Sequence, residues 1–246
     1  MSFSDFIEHE INSDFIVDPF SIQYFIFVMI GVLSVVLTLR YAKKVKTWKH
    51  EKALKKTIGF GLVTLEIIYH IHNYVNGIFS IPIHISSFSM MFSMIILFSD
   101  NRTVFGVLYY LGILAGLAAF FAPGMLNYTF YHIRFYHFIL VHMAIIVVPI
   151  YYYKAYNYTI NLIDLRVTLV FLILISPLII FVNYQLDRNY MFIGELPEVL
   201  VPIMPVWPYY IAVYLVLITI LFLGLYFLTN FKDIFERWEK YKKLHL

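Results

Sequence analysis

The sequence predicts an all-α, polytopic membrane protein with seven transmembrane helices, its N-terminus outside and its C-terminus cytoplasmic. Three observations carry this. The chain is 61% hydrophobic and only 13% charged, whereas soluble domains average about 25% charged residues. Its apolar runs reach the roughly 20 residues that a helix needs to cross the hydrocarbon core. Its cations are lopsided: of 18 Lys and Arg, all but Arg134 and Arg188 fall on one side once the apolar runs are taken as spans. Cationic flanks stay in the cytoplasm.

The elements follow in order. Segment 1–19 carries Asp5, Glu8, Glu10, Asp14 and Asp18 and lacks the basic start of a signal peptide, so it is expected to remain as a short external segment. The spans are predicted at 20–40, 57–76, 81–99, 103–121, 133–153, 166–184 and 206–229. The run from Arg40 to Lys56 holds eight cations and puts the first connection, 41–56, inside. The other inner connections are then 100–102 and 154–165, and the outer ones 77–80, 122–132 and 185–205. The last of these holds Pro197, Pro202 and Pro205, with Pro208 just beyond, and cannot be a regular helix. It reads as a rigid outer cap. The tail 230–246 is basic from Lys232 to Lys243, which agrees independently with a cytoplasmic C-terminus.

Composition also excludes functions. With no cysteine, disulfides, thiolate metal sites and a cysteine nucleophile are ruled out. The net charge of +3 comes from the cytosolic flanks and signals no nucleic-acid partner; these flanks suit anionic lipid headgroups. The abundance of Lys, Ile, Tyr, Phe and Asn resembles the coding bias of an AT-rich bacterium, so the expected location is a bacterial cell membrane. Gly112 and Gly116 form a small-xxx-small pair that lets helices approach closely, which is a packing feature.

An ionisable side chain at bilayer depth costs on the order of 2.5–3.5 kcal/mol and so calls for a reason. Glu66 is the sole acid inside a predicted span, and His70 follows one turn later on the same face, then His72 and Asn73. His84 and Ser86 open the third span. His132, Arg134, His137 and His142 lie in the outer half of the fifth. The predicted topology therefore gathers six histidines in the outer half of the membrane. Bland roles compete for most of these residues. Glu66 and His70 can serve as a buried pair that fixes helix register, His72 and His132 as interfacial groups, and Ser87 and Ser89 as packing hydroxyls. Arg134 can snorkel to headgroups or bind a lipid phosphate or carboxylate.

Three stretches resemble the YwaF-type integral membrane proteins, relatives of the transmembrane protein 164 acyltransferase family. Ile81-Pro82-Ile83-His84-Ile85-Ser86 is similar to that family's Leu-Pro-Leu-His-Leu-Cys. Phe135-Tyr136-His137-Phe138, leading to Val141-His142, falls where the family has a histidine in its fifth span. Asn189-Tyr190-Met191-Phe192 and Val206-Trp207-Pro208-Tyr209-Tyr210 are similar to its Asn-Tyr-Met-Phe-Leu and Trp-Pro-Trp-Tyr signatures. The resemblance runs from the second span to the seventh. It implies a membrane enzyme that moves a fatty acyl group between lipids, with a cysteine nucleophile and a histidine base. The cysteine position is Ser86 here and the histidine is His142. A serine hydroxyl depends on its base more than a thiol does, because almost no alkoxide exists at neutral pH.

The leading expectation is thus acyl transfer at the outer leaflet, without a cofactor or metal. Ser86 is the nucleophile, His142 its base, and His84 orients the donor or stabilises the oxyanion. Arg134, His137, Glu66, His70, Asn189, Tyr190 and Trp207 are expected to line the substrate site. The expected partners are membrane phospholipids or lipid-modified proteins. His84 and Ser86 lie two residues apart, so on a regular helix they point nearly opposite ways; either Pro82 makes the helix start irregular or one of the two faces elsewhere. Two alternatives remain. One is a metal-dependent lipid hydrolase that draws ligands from His70, His84, His137, His142 and Glu66, although the His-x-x-x-His pair expected in its last span is absent. The other is a lipid or small-solute binder or transporter without catalysis.

Overall fold

A computed structural model of the chain describes residue 17 and residues 21–121, 132–196 and 200–245. The acidic segment 1–19 apart from Val17, nearly all of the outer connection 122–132, and Pro197 to Val199 of the cap lie outside the described residues. Every regular element among the described residues is a helix. The chain divides into two compact units, 1–158 and 159–246.

The first unit contains α1 (Ile22–Lys46), α2 (Glu51–Val75), α3 (Ile85–Ser99), α4 (Arg102–Phe121) and α5 (Ile133–Ala155). Helix α1 starts where the Ser21 hydroxyl accepts from the Tyr24 N–H at 3.3 Å, a serine N-cap. It ends on Lys43, Lys44 and Lys46, cations that favour the negative end of the helix dipole. The expected inner connection 41–56 shrinks to the turn 47–50, because lysine and alanine are good helix formers and both helices run on past their apolar stretches. The turn between α3 and α4 is tighter still. Asp100 closes α3 in the left-handed conformation (φ 53°), and the Asn101 side chain accepts from the N–H groups of Thr103 (2.8 Å) and Val104 (3.2 Å) to open α4.

Helix α5 is the hub, packing against α1, α2, α3 and α4. Tyr24, Phe120, Phe135, Ile139 and Ile146 form a core where α1, α4 and α5 meet. The outer faces stay apolar: Phe25, Ile26, Met29, Leu33 and Val36 of α1 are exposed, as they must be to face lipid. On α4, a Cβ at Gly112 would collide with the Ile145 carbonyl oxygen, and one at Gly116 would lie 3.1 Å from the His142 carbonyl oxygen. The glycine pair therefore seats α4 directly on the backbone of α5.

The second unit holds α6 (Leu162–Leu186), a 3-10 turn (Tyr190–Phe192) and α7 (Tyr209–His245). Asn161 caps α6 by accepting from the N–H groups of Ile163 (2.9 Å) and Asp164 (3.0 Å), while the Asp164 carboxylate accepts from the Asn161 N–H at 3.0 Å. This reciprocal arrangement is a capping box.

Of the seven α-helices among the described residues, five are long and apolar enough to cross a membrane: α1, α4, α5, α6 and the Tyr209–Glu236 portion of α7. The chain is a multi-pass membrane protein on this ground. Helix α2 has the length, with 25 residues, but carries Lys52, Lys55, Lys56 and Glu66. Helix α3 is apolar but has 15 residues, about 22 Å at 1.5 Å per residue against a core of about 30 Å.

Candidate functional site

The polar residues of α2 and α5 meet in one connected cluster. Glu66 lies between two imidazoles: His70 Nε2 is 3.6 Å from its Oε2 and His137 Nε2 is 3.6 Å from its Oε1. The His137 ring stacks on Tyr69 with centroids 4.3 Å apart, and the Arg134 guanidinium lies 5.2 Å from the same Tyr69 ring. Arg134 Nη2 donates to Asn73 Oδ1. Asn73 Nδ2 in turn donates to Ser80 Oγ at 2.7 Å, and Ser80 Oγ is 3.5 Å from His70 Nδ1. The chain of contacts thus runs Arg134, Asn73, Ser80, His70, Glu66, His137. Next to it, His132 caps α5 by accepting from the Arg134 N–H at 3.1 Å, and its ring meets His72 edge-on at 5.3 Å. Both His72 and His132 are buried.

His142 sits deeper in α5 and is buried. Its Nδ1 is 2.7 Å from the Phe138 carbonyl oxygen. A carbonyl only accepts, so Nδ1 carries the ring proton and Nε2 is left with a lone pair. That is the form a general base requires.

The start of α3 settles the geometry of Pro82 to Ser86. His84 is extended (φ −74°, ψ 161°) and the helix begins at Ile85, so His84 and Ser86 do not share a regular helix. Ser86 falls in the first turn. The first helical bond there runs from the Phe88 N–H to the His84 carbonyl at 3.0 Å, and the His84 side chain does not cap the helix. The N–H groups of Ile85, Ser86 and Ser87 therefore make no bond within α3. No hydrogen bond among the described residues joins Ser86 to His142, although α3 packs on α5.

In the second unit, Asn189 and Tyr190 build a turn. Asn189 Oδ1 accepts from the N–H groups of Gly194 (3.2 Å) and Glu195 (3.1 Å), and its Nδ2 donates to the Glu195 carbonyl at 2.8 Å. Asn183, buried near the end of α6, grips Tyr190 by both backbone groups at 2.8 and 3.0 Å. The Tyr210 hydroxyl donates to the Ile193 carbonyl at 2.5 Å. These bonds hold Met191 and Phe192 at φ 57° and 53°, which costs about 1–3 kcal/mol for each non-glycine residue. Trp207 is 55% exposed. We expect Asn183→Ala to lower the melting temperature by several degrees, since it strips two buried backbone groups of their partner at about 1–3 kcal/mol; a melt in detergent against Asn189→Ala checks this.

A second polar cluster, at the other end of α2 and α5, escaped sequence reasoning. Lys55, 5% exposed, donates to Asp100 at 2.5 Å and to the Tyr156 hydroxyl, and lies 3.3 Å from Glu51. Glu51 also accepts from Tyr151 (2.9 Å) and Tyr156 (2.7 Å), and Asp100 accepts from Tyr152 at 2.6 Å. Burial pushes the Glu51 and Asp100 carboxyls up, but the tyrosine and lysine bonds and the Lys55 charge outweigh it and hold both below the usual carboxylate range. By charge alone Lys55 reads as one of the cations flanking the membrane. The signal available in the sequence was the Glu51–Lys55 spacing of four residues on a helix beside a run of three tyrosines, Tyr151 to Tyr153.

Among the described residues, no three His, Asp or Glu side chains are disposed to hold a metal ion. Glu66, His70 and His137 approach one another without forming such a set. A family model described as the TMEM164 family matches residues 18–226. No curated protein and no solved structure matches the chain.

Proposed function

The chain belongs to the TMEM164 family, and on that premise we propose that it is a membrane-embedded acyltransferase that moves a fatty acyl chain between lipids, or onto a lipoprotein, at the outer leaflet. The topology behind this is seven spans with the N-terminus outside and the C-terminus cytoplasmic, supported by the cation distribution. The observation that carries the reading is His142: a buried histidine in α5 whose Nδ1 is tied to the Phe138 carbonyl at 2.7 Å, leaving Nε2 as a base.

The chemistry runs in two halves. Nε2 of His142 takes the Ser86 hydroxyl proton as Oγ attacks the donor ester carbonyl. The negative oxygen formed is met by the N–H groups at the start of α3, the position where a helix best stabilises an anion. Collapse releases the lysolipid alkoxide, which takes the proton from His142, and the acyl chain remains on Ser86 as an ester. A hydroxyl of a second lipid, or a lipoprotein amine, then loses its proton to His142 and attacks that ester; the proton returns to Ser86. His84 orients the donor and Arg134 holds a phosphate. Because Ser86 and His142 are not hydrogen-bonded in this structure, the reaction requires them to close on each other when lipid binds.

Purified protein in liposomes with isotope-labelled donor lipid tests this. Ser86→Ala and His142→Ala should each lower transfer on the order of 10³-fold, while Ser86→Cys keeps activity and becomes sensitive to thiol alkylation. Full activity in both alanine variants overturns the reading. A co-purified lipid that is never turned over by wild type would identify a binder instead.

A further inference from the structure

The hydrogen bonds around Glu66 have a direction, and it follows from the chemistry of each group. Arg134 can only donate, so the Asn73 atom that faces it is Oδ1 and the amide nitrogen points at Ser80. Ser80 Oγ accepts that bond at 2.7 Å and keeps its own proton, which has His70 Nδ1 at 3.5 Å. With Nδ1 accepting, the neutral His70 ring carries its proton on Nε2, the atom 3.6 Å from Glu66 Oε2. His137 presents its own Nε2 to Oε1 at 3.6 Å. Both Nε2 atoms are buried and have no hydrogen-bond partner among the described residues. A carboxylate only accepts, so a bare imidazole lone pair turned toward it would set two acceptors face to face where water cannot relieve them.

We propose that Glu66 is the positioning residue of this site: its carboxylate holds His70 and His137 both in the Nε2–H form and serves as counter-charge to the imidazolium that His142 becomes during transfer. The second role rests on the acyltransferase reading; the first does not. With both rings in this form the carboxylate keeps its charge, and the Arg134 guanidinium donates to Asn73 and lies over the Tyr69 ring. His142 lies five residues beyond His137 on the same helix, a rise of about 7.5 Å, and His137 is the ring that meets Glu66 at 3.6 Å. A fixed negative charge in a water-poor interior favours the charged form of the base far more than the same charge in water does. Glu66 thus acts through His142 without touching the reacting atoms.

Nitrogen-15 spectra of histidine-labelled full-length protein in detergent read the tautomers directly, with His70→Gln and His137→Gln to assign the rings. Wild type should show both with protonated Nε2 and bare Nδ1. Glu66→Gln offers one acceptor and one donor, so one ring must switch to Nδ1–H. Ser80→Ala keeps Glu66 and should leave both rings protonated at Nε2; a His70 that switches there would overturn Glu66 as its holder. In liposomes Glu66→Gln should lower kcat on the order of 10²-fold with KM little altered. Rings that keep their tautomers in Glu66→Gln, or a wild-type His137 protonated at Nδ1, overturn the proposal. A tautomer switch with unchanged kcat overturns the counter-charge role. Expected tautomers in a wild type that transfers no acyl chain would instead overturn the acyltransferase reading and leave Glu66 as the holder of both rings.

Discussion

Replacing Gly112 by valine will lower both the melting temperature and the transfer activity. A Cβ there meets the Ile145 carbonyl oxygen well inside van der Waals contact and lies 2.9 Å from Leu108 Cδ1. The first of these is backbone, so relief requires α5 to move as a unit. Over-packing costs about 1–3 kcal/mol. Because α5 carries Arg134, His137 and His142, activity should fall further than stability, on the order of 10²-fold for a displacement of about 1 Å. Gly116→Ala presses chiefly on the Ile146 side chain, with the His142 carbonyl oxygen at 3.1 Å, and should be milder. Gly61→Val, at a position with nothing within 4 Å, should change neither. Equal melting curves and rates for Gly112→Val and Gly61→Val would refute the view that this pair sets the seat of α5.

That glycine pair illustrates what the sequence disclosed and what it withheld. The small-xxx-small spacing announced close helix contact, but not that the neighbour would be α5 or that the contact would fall on the turn of His142. The helical character of the apolar runs was legible because such runs must satisfy their backbone internally in lipid, and five helices among the described residues are long and apolar enough to cross. Helix ends were less so. The cations after Arg40 marked a boundary of hydrophobicity, yet lysine propagates a helix well, and the connection shrank to four residues, 47–50.

Side-chain partners were legible where helical spacing supplies them and opaque where the fold does. Glu66 and His70 share a face at four-residue spacing, and that pair is present. The third member, His137, arrives from another helix, and the links through Asn73 and Ser80 depend on a turn after α2 that no periodicity encodes. Asn189 and Tyr190 are marked by a family signature, and their bonds build a local turn; an asparagine that satisfies its own backbone leaves no trace of that in composition. Ser86 could be placed at a helix start from Pro82, since the extended backbone around a proline delays the helix.

The largest loss of stability is expected from Lys55→Met. A charge count treats this lysine like its exposed neighbours Lys52 and Lys56, yet its side chain is 6% exposed and faces Glu51, itself 5% exposed, and Asp100. Methionine preserves volume and removes the charge, leaving the buried Glu51 carboxylate with two tyrosine donors and only the more distant Lys46, at 3.8 Å, as a cation. Breaking such a pair from one side costs about 3–5 kcal/mol; because the Asp100 side chain is 37% exposed, about 3 kcal/mol is the better figure. Lys52→Met should have little effect. The dependence on pH identifies the mechanism. Glu51 and Asp100 have folded-state pKa values below their unfolded ones, so they stabilise the fold above about pH 4, the unfolded range of Asp and Glu, and lose that contribution as pH falls through the folded values. In Lys55→Met, Asp100 has lost its cation and Glu51 keeps only the more exposed Lys46 at 3.8 Å, so protonating the two carboxylates relieves poorly compensated charge. Melting temperatures of wild type and variant, measured in detergent from neutral pH down to about pH 3, should therefore converge on the acid side. A gap that stays constant across that range would mean that Lys55 stabilises by packing its alkyl chain against Tyr152 and Tyr156 and not through its charge.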